Sequence, residues 1–262
     1  MDDPSEEEVA ALATWAGSGA MALTGDRDGP PRPEPALLAS VMGDLAVELA
    51  TWTGRWGSRV SLDGPALLGE RAAFTGMARN GSVSVGGAAH FARSSDGWVV
   101  VNLPRPEDVA ALPALVGAAV EPDDWTAIQA GLAAMGSAEI EAQAAVLGMA
   151  VAVAGRPEAP GEPVRLLAEG AARTVSTRPL VVDLTSLWAG PLAASLLGEA
   201  GARVVKVESA TRPDGARRGP EGFFDLLNGG KECLALDFDA SGDIGVLRDL
   251  LGRADLVIEG SR

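Results

Sequence analysis

The most constraining feature of this chain is the run LVVDLTSLWAGPLAASLLGEAGARVVKVES, Leu180 to Ser209, which changes character twice. A β-branched run ends in Asp183-Leu184-Thr185, breaks at Gly190-Pro191, becomes a small-residue helix and closes on a second β-branched run. Further on, ECLALDF reads as a third strand, DIGVLRDLLGRA as a helix and DLVIE as a fourth strand. Strands alternating with helices of this length require right-handed crossovers and therefore a parallel sheet. The helix is expected to start at Pro191, where a missing N–H costs nothing. The predicted fold class is α/β, a parallel sheet with helices, joined to a smaller helical or α+β segment.

Proline and glycine set the boundaries. GRPEAPGEP (155–163) and STRP (176–179) are breaker clusters. They divide the chain into a first block at 1–156, a linker at 157–178 and the strand–helix block at 179–262. In the first block, Leu37, Leu38, Val41, Leu45, Leu49 and Trp52 recur at helical spacing, which predicts a helix buried on that face. Val99 to Leu103 reads as a strand, and RPEDVAALPALVG and SAEIEAQAAVLGM read as helices.

A formal net charge of −15 argues against a nucleic-acid or anionic-membrane surface. The acidic start is unlike a signal peptide, and the most apolar run, Ala144 to Gly155, is shorter than the ~20 residues of a membrane span. With Cys233 as the only cysteine, no internal disulfide can form. The expectation is a soluble cytoplasmic protein.

In an open parallel sheet, ligands sit beyond the carboxyl ends of the strands. That edge holds Thr185 to Gly190 and the loop SATRPDGARRG, which carries Arg212, Arg217 and Arg218. With Lys206 and Lys231 these form a basic cluster suited to a phosphorylated ligand through charge-assisted hydrogen bonds. The helix start at Gly190 to Leu192 adds about 0.3–1 kcal/mol for an anion. The alternative is a solvated loop. Glu208 follows Gly190 by 18 residues (208 − 190), near the spacing of a ribose-binding acid, but WAGPLA supplies one glycine where a dinucleotide turn needs three. A nicotinamide enzyme is rejected on that ground.

The ordered series VVDLTSLWAGPLAASLLGEAGARVVKVES, FFDLLNGGKECLALDF and LLGRADLVIEGSR closely resembles the start of the family III CoA-transferases, a group that includes the α-methylacyl-CoA racemases. The resemblance implies a Rossmann-like parallel-sheet CoA-binding half, an aspartate that forms mixed anhydride and thioester intermediates, and interlocked dimers. It places Leu187 and Trp188 where CoA packs, Lys206 and Glu208 at the end of the second strand, and Leu236 against the adenine end. Ser209, Asp239 and Gly260-Ser261 depart from the pattern. PALLASVMGDLAVELATWTGRWGSRVSLDGPALL and the segments after it resemble the family's later half, so the later half precedes the beginning. The expected aspartate position falls within Pro31 to Pro35, which holds no Asp; Glu34 is the nearest carboxylate. A second such aspartate is expected beyond Arg262.

These readings imply coenzyme A as ligand, an acyl-CoA and a small carboxylic acid as substrates, no metal, no nucleic acid and no membrane. The expected assembly is a homodimer or a complex with a related subunit. The expected activity is transfer of CoA between an acyl-CoA and a carboxylic acid. The alternatives are a 2-methylacyl-CoA racemase and a non-catalytic CoA-binding subunit. His90, the only histidine, reads as a loop or core residue. Cys233 reads as a buried strand thiol, Asp183 as a strand-end cap, and Trp52, Trp56, Trp98 and Trp125 as core or interface anchors.

Overall fold

The structure, a computed structural model, describes residues 5–155, 164–171, 177–220 and 222–260. Along the chain run α1 (Glu6–Gly17), α2 (Leu37–Trp56), α3 (Leu67–Thr75), β1 (Ala89–Arg93), β2 (Trp98–Asn102), α4 (Pro106–Ala110), α5 (Leu112–Val116), α6 (Trp125–Ala134), α7 (Ser137–Leu147) and β3 (Ala150–Val153). There follow β4 (Leu180–Asp183), α8 (Ala189–Glu199), β5 (Arg203–Ser209), a 3₁₀ turn at Gly215–Arg218, α9 (Phe223–Asn228), β6 (Glu232–Leu236), α10 (Ser241–Arg253) and β7 (Leu256–Ile258).

The chain divides into two compact units that do not follow the sequence blocks. One gathers residues 1–20, 33–76 and 170–262; the other holds 21–32 and 77–169. Helices α1 to α3 therefore belong with the parallel sheet. The physical reason is visible at their ends. Ser58 N–H donates to Ala200 O at 3.0 Å, and Phe74 of α3 meets Phe223 with ring centroids 6.0 Å apart. Of the linker expected at 157–178, residues 164–171 carry no regular element, and 157–163 and 172–176 lie outside the described residues.

In the first unit, β4 to β7 form a four-stranded sheet in the order β6-β5-β4-β7, every pair parallel. All four strands lie where the sequence predicts them. Side chains alternate between faces. Val181 and Val204 pack with Ala194 of α8, while Val182, Val205 and Val207 pack with Leu247, Leu250 and Leu251 of α10. With both faces covered, β4 and the body of β5 are buried, as the continuous β-branched runs require.

Several expectations are corrected. Helix α2 forms, but its buried face is Ala39, Ala46, Ala50 and Thr53. Leu37, Leu38, Val41, Leu45 and Trp52 are exposed, as is Trp56. Periodicity marks a stripe without saying which face the rest of the chain covers, and here the small residues permit the close approach. Helix α8 starts at Ala189, so Pro191 is its third residue, still within the turn whose N–H groups lack helical acceptors. RPEDVAALPALVG breaks into α4 and α5 around Ala111, because Pro113 has no N–H to carry the ladder across. Cys233 is exposed, since β6 is an edge strand with one neighbour.

The second unit is an antiparallel sheet in the order β1-β2-β3 with one face on helices. Ala92, Val99 and Val101 pack there with Leu112, Leu115, Ile128, Leu132, Ile140 and Ala144. His90, on β1, lies 4.3 Å from the Trp125 ring, and burial holds its pKa below the usual value.

Candidate functional site at the carboxyl edge of the parallel sheet

Strand β4 is flanked by β5 on one side and β7 on the other, so the winding direction reverses at its carboxyl end. Such a reversal opens a crevice. Thr185 to Trp188 leave β4 into it and lead to α8.

Alternation along β5 puts Val204, Lys206 and Glu208 on the α8 face. Two ammonium groups, both buried, organise the corner. Lys206 Nζ donates to Thr185 O at 2.9 Å and lies 2.9 Å from Asp214 Oδ2. Lys231 Nζ contacts Asp183 Oδ2 at 2.8 Å, Pro191 O at 2.8 Å and Asn228 Oδ1 at 2.9 Å. Burial lowers the Lys231 pKa, and the Asp183 carboxylate offsets part of that shift. The other oxygen of Asp183 accepts from Thr185 N–H at 2.9 Å and from the Thr185 hydroxyl.

Asp214 ties the two loops of the crevice together. Its Oδ1 accepts from Leu187 N–H and Ala216 N–H, each at 2.9 Å. Burial pushes this carboxyl up, but those N–H donors and the Lys206 ammonium outweigh it, and the pKa lies below the usual value. Glu208 accepts from Asp214 N–H at 2.9 Å and from the Arg217 guanidinium at 2.6 Å; Arg217 is the main cause of its lowered pKa. The Arg217 guanidinium also lies 3.7 Å from the Phe224 ring centroid.

The basic cluster therefore splits. Lys206, Lys231 and Arg217 are engaged by carboxylates within the protein. The guanidiniums of Arg212 and Arg218 are exposed and have no carboxylate partner among the described residues. Glu208, the acid at dinucleotide spacing, is held by Arg217.

Leu187 is exposed and adopts φ 75°, the one non-glycine residue in the left-handed region among those described. Its N–H bond to Asp214 helps hold this costly conformation. A Cβ at Gly215 would lie 2.9 Å from Leu187 Cδ2 and 3.7 Å from Arg218 Nη2, so that glycine leaves room for both side chains at its open face. Gly190 is required differently: a side chain there would collide with Thr185. The single glycine of WAGPLA thus serves helix–strand packing. Trp188 precedes α8 and packs with Ala216, Phe223 and Leu227. Because Leu192 N–H donates to Trp188 O and Pro191 has none, the helix-start donors without a partner among the described residues are those of Ala189 and Gly190.

Leu236 is buried among Val182, Val205 and Val207. Glu34 is exposed. Sequence reasoning did not find Asp214, the residue joining both loops; its place five residues after Ser209, in a polar loop, gives no signal of burial. Among the described residues, no group of three or more His, Cys, Asp or Glu is placed to hold a metal ion, and no helix is long and apolar enough to cross a membrane.

Residues 179–262 match the family model for CoA-transferase family III. Over 89 residues the chain is 33% identical to the acetyl-CoA:oxalate CoA-transferase of Acetobacter aceti, covering 32% of this chain and 23% of that protein. It is 38% identical over 89 residues to the succinyl-CoA:mesaconate CoA-transferase of Haloarcula hispanica, covering 30% and 22%. A solved structure of a hypothetical protein from Mycobacterium tuberculosis aligns at 30% identity over 36% of this chain and 27% of that one, with a TM-score of 0.31. The chain thus spans less than a quarter of the length of these curated relatives.

Proposed function

We propose that the crevice at the carboxyl end of β4 binds coenzyme A for transfer of CoA between an acyl-CoA and a carboxylic acid, a reading supported by the match of residues 179–262 to the family model for CoA-transferase family III. The observation that carries the reading is the partition of charge at that edge. Lys206, Lys231 and Arg217 hold the loops in place, which leaves Arg212 and Arg218, with the N–H groups of Ala189 and Gly190, free for phosphate.

Leu187 and Trp188 are proposed to pack against the pantetheine arm. In the transfer, a carboxylate oxygen attacks the thioester carbon, the C–S bond breaks and CoA leaves as the thiolate, giving a mixed anhydride; the thiolate then attacks the carbonyl of the incoming carboxylate, the anhydride C–O bond breaks and the donor acid leaves as its carboxylate. The names of the relatives make short acyl-CoAs and small carboxylic acids the first substrates to try. The proposed assembly is a homodimer or a complex with a related subunit, supported by the exposed apolar stripe of α2. The proposed setting is the cytoplasm.

A second reading, a CoA-binding component without its own nucleophile, is favoured by one observation: 31–35 holds Glu34 and no Asp. Incubating the chain with acyl-CoA donors and carboxylate acceptors, then trapping with hydroxylamine, separates the two. Little or no turnover with intact CoA binding supports the component reading. Turnover with an adduct on Glu34, abolished in Glu34→Gln, supports a self-sufficient transferase. Exchange of the α-proton without CoA exchange supports racemase chemistry instead.

A further inference from the structure

The first unit brings one more cation to this corner, from a segment more than a hundred residues earlier in the chain. Helix α3 lies against the site through Phe74 on Phe223, and one turn before Phe74 it places the Arg71 guanidinium 5.8 Å from the Trp188 ring centroid. We propose that Arg71 is a phosphate-binding residue of the crevice, acting with Arg218 on either residue of the Leu187–Trp188 step; this rests on the CoA reading above.

A guanidinium carries five N–H donors, and a ring face satisfies none of them. Arg71 is exposed, and no carboxylate of the described residues pairs with it. The chain has 36 acidic against 21 basic residues, so acids to neutralise a surface arginine are in excess. Arg105, Arg203 and Arg217 each have one. The arginine over Trp188 does not, and Trp188 immediately precedes the free N–H groups of Ala189 and Gly190. On the neighbouring residue, the Leu187 side chain reaches the open face of Gly215, which the Arg218 guanidinium also approaches, and Arg218 likewise has no carboxylate partner among the described residues. Two unneutralised guanidiniums, one over Trp188 and one at the Gly215 face that Leu187 shares, thus come to a loop that ends in open amide donors. Bidentate recognition of phosphate uses this combination of fork donors and backbone N–H groups. The indole ring holds the Arg71 side chain in place, which reduces the ordering cost of binding.

The experiment measures dissociation constants for CoA and for pantetheine, which lacks phosphate, with the wild-type chain, Arg71→Ala and Arg71→Met. Both variants are expected to weaken CoA binding about tenfold at low salt, with a smaller loss at high salt, and to leave pantetheine binding unchanged. Arg71→Met keeps an apolar stem over Trp188 and guards against loss of packing; a thermal melt confirms that each variant folds. Unchanged CoA affinity in both variants, or an equal loss for CoA and pantetheine, overturns the proposal while leaving the CoA site standing. Failure of the wild-type chain to bind CoA overturns both.

Discussion

The ammonium of Lys206 sits 2.9 Å from the carboxylate of Asp214, with both side chains wholly buried. The lysine comes from a strand and the aspartate from the loop eight residues later. Between them they fix the position of Leu187, whose N–H binds the same carboxylate. Removing one partner leaves an uncompensated buried charge. Lys206→Met is expected to destabilise the chain by about 3–5 kcal/mol. The double variant Lys206→Met/Asp214→Asn is expected to cost less than the sum of the two single changes. Urea denaturation of all four proteins reads the coupling; strict additivity contradicts it.

Acid should loosen the same corner. Asp214 and Glu208 both have folded pKa values below their usual ones. The unfolded chain therefore binds more protons in the window between the two values, so stability rises with pH there and is lost as pH falls. The stabilisation is fully present above the unfolded carboxylate range of about 4 and is lost as pH drops through the lower folded values. Thermal melts from neutral pH downward are expected to show a decline that is shallower in Glu208→Gln than in the wild type.

Gly190→Ala places a methyl group against Thr185, whose hydroxyl and N–H both serve Asp183. Overpacking of this kind costs about 1–3 kcal/mol. A fall in urea midpoint at unchanged slope is the expected result; an unaltered midpoint means that α8 shifts freely over the sheet.

The three arginines of the loop should separate. Arg217 is held by Glu208 and lies over Phe224, so Arg217→Ala is expected to lower stability more than direct phosphate contact. Arg212→Ala/Arg218→Ala should leave the melting temperature nearly unchanged and weaken CoA binding, more at low salt. Reversed outcomes reassign the contacts.

The sheet was legible because its signal is local: β-branched runs, small-residue helices and turns recur in order from Leu180 to Ile258. The basic edge was legible for the same reason. The division of its cations was not, because spacing does not reveal that Asp183, Glu208 and Asp214 converge on Lys231, Arg217 and Lys206. The packing of α3 against Phe223 and Trp188 is likewise a tertiary fact between distant segments. Helix α2 was correctly expected and its buried face was not, since Ala39, Ala46 and Ala50 give a weaker hydropathy signal than the leucines opposite.

The central claim is that the carboxyl edge of β4 is a CoA site, and isothermal titration of CoA into the purified chain tests it most directly. Saturable binding that weakens with salt and with Arg212→Ala/Arg218→Ala is the predicted result. No detectable heat across a range of temperatures and buffers, from a chain with a cooperative melt, would contradict it.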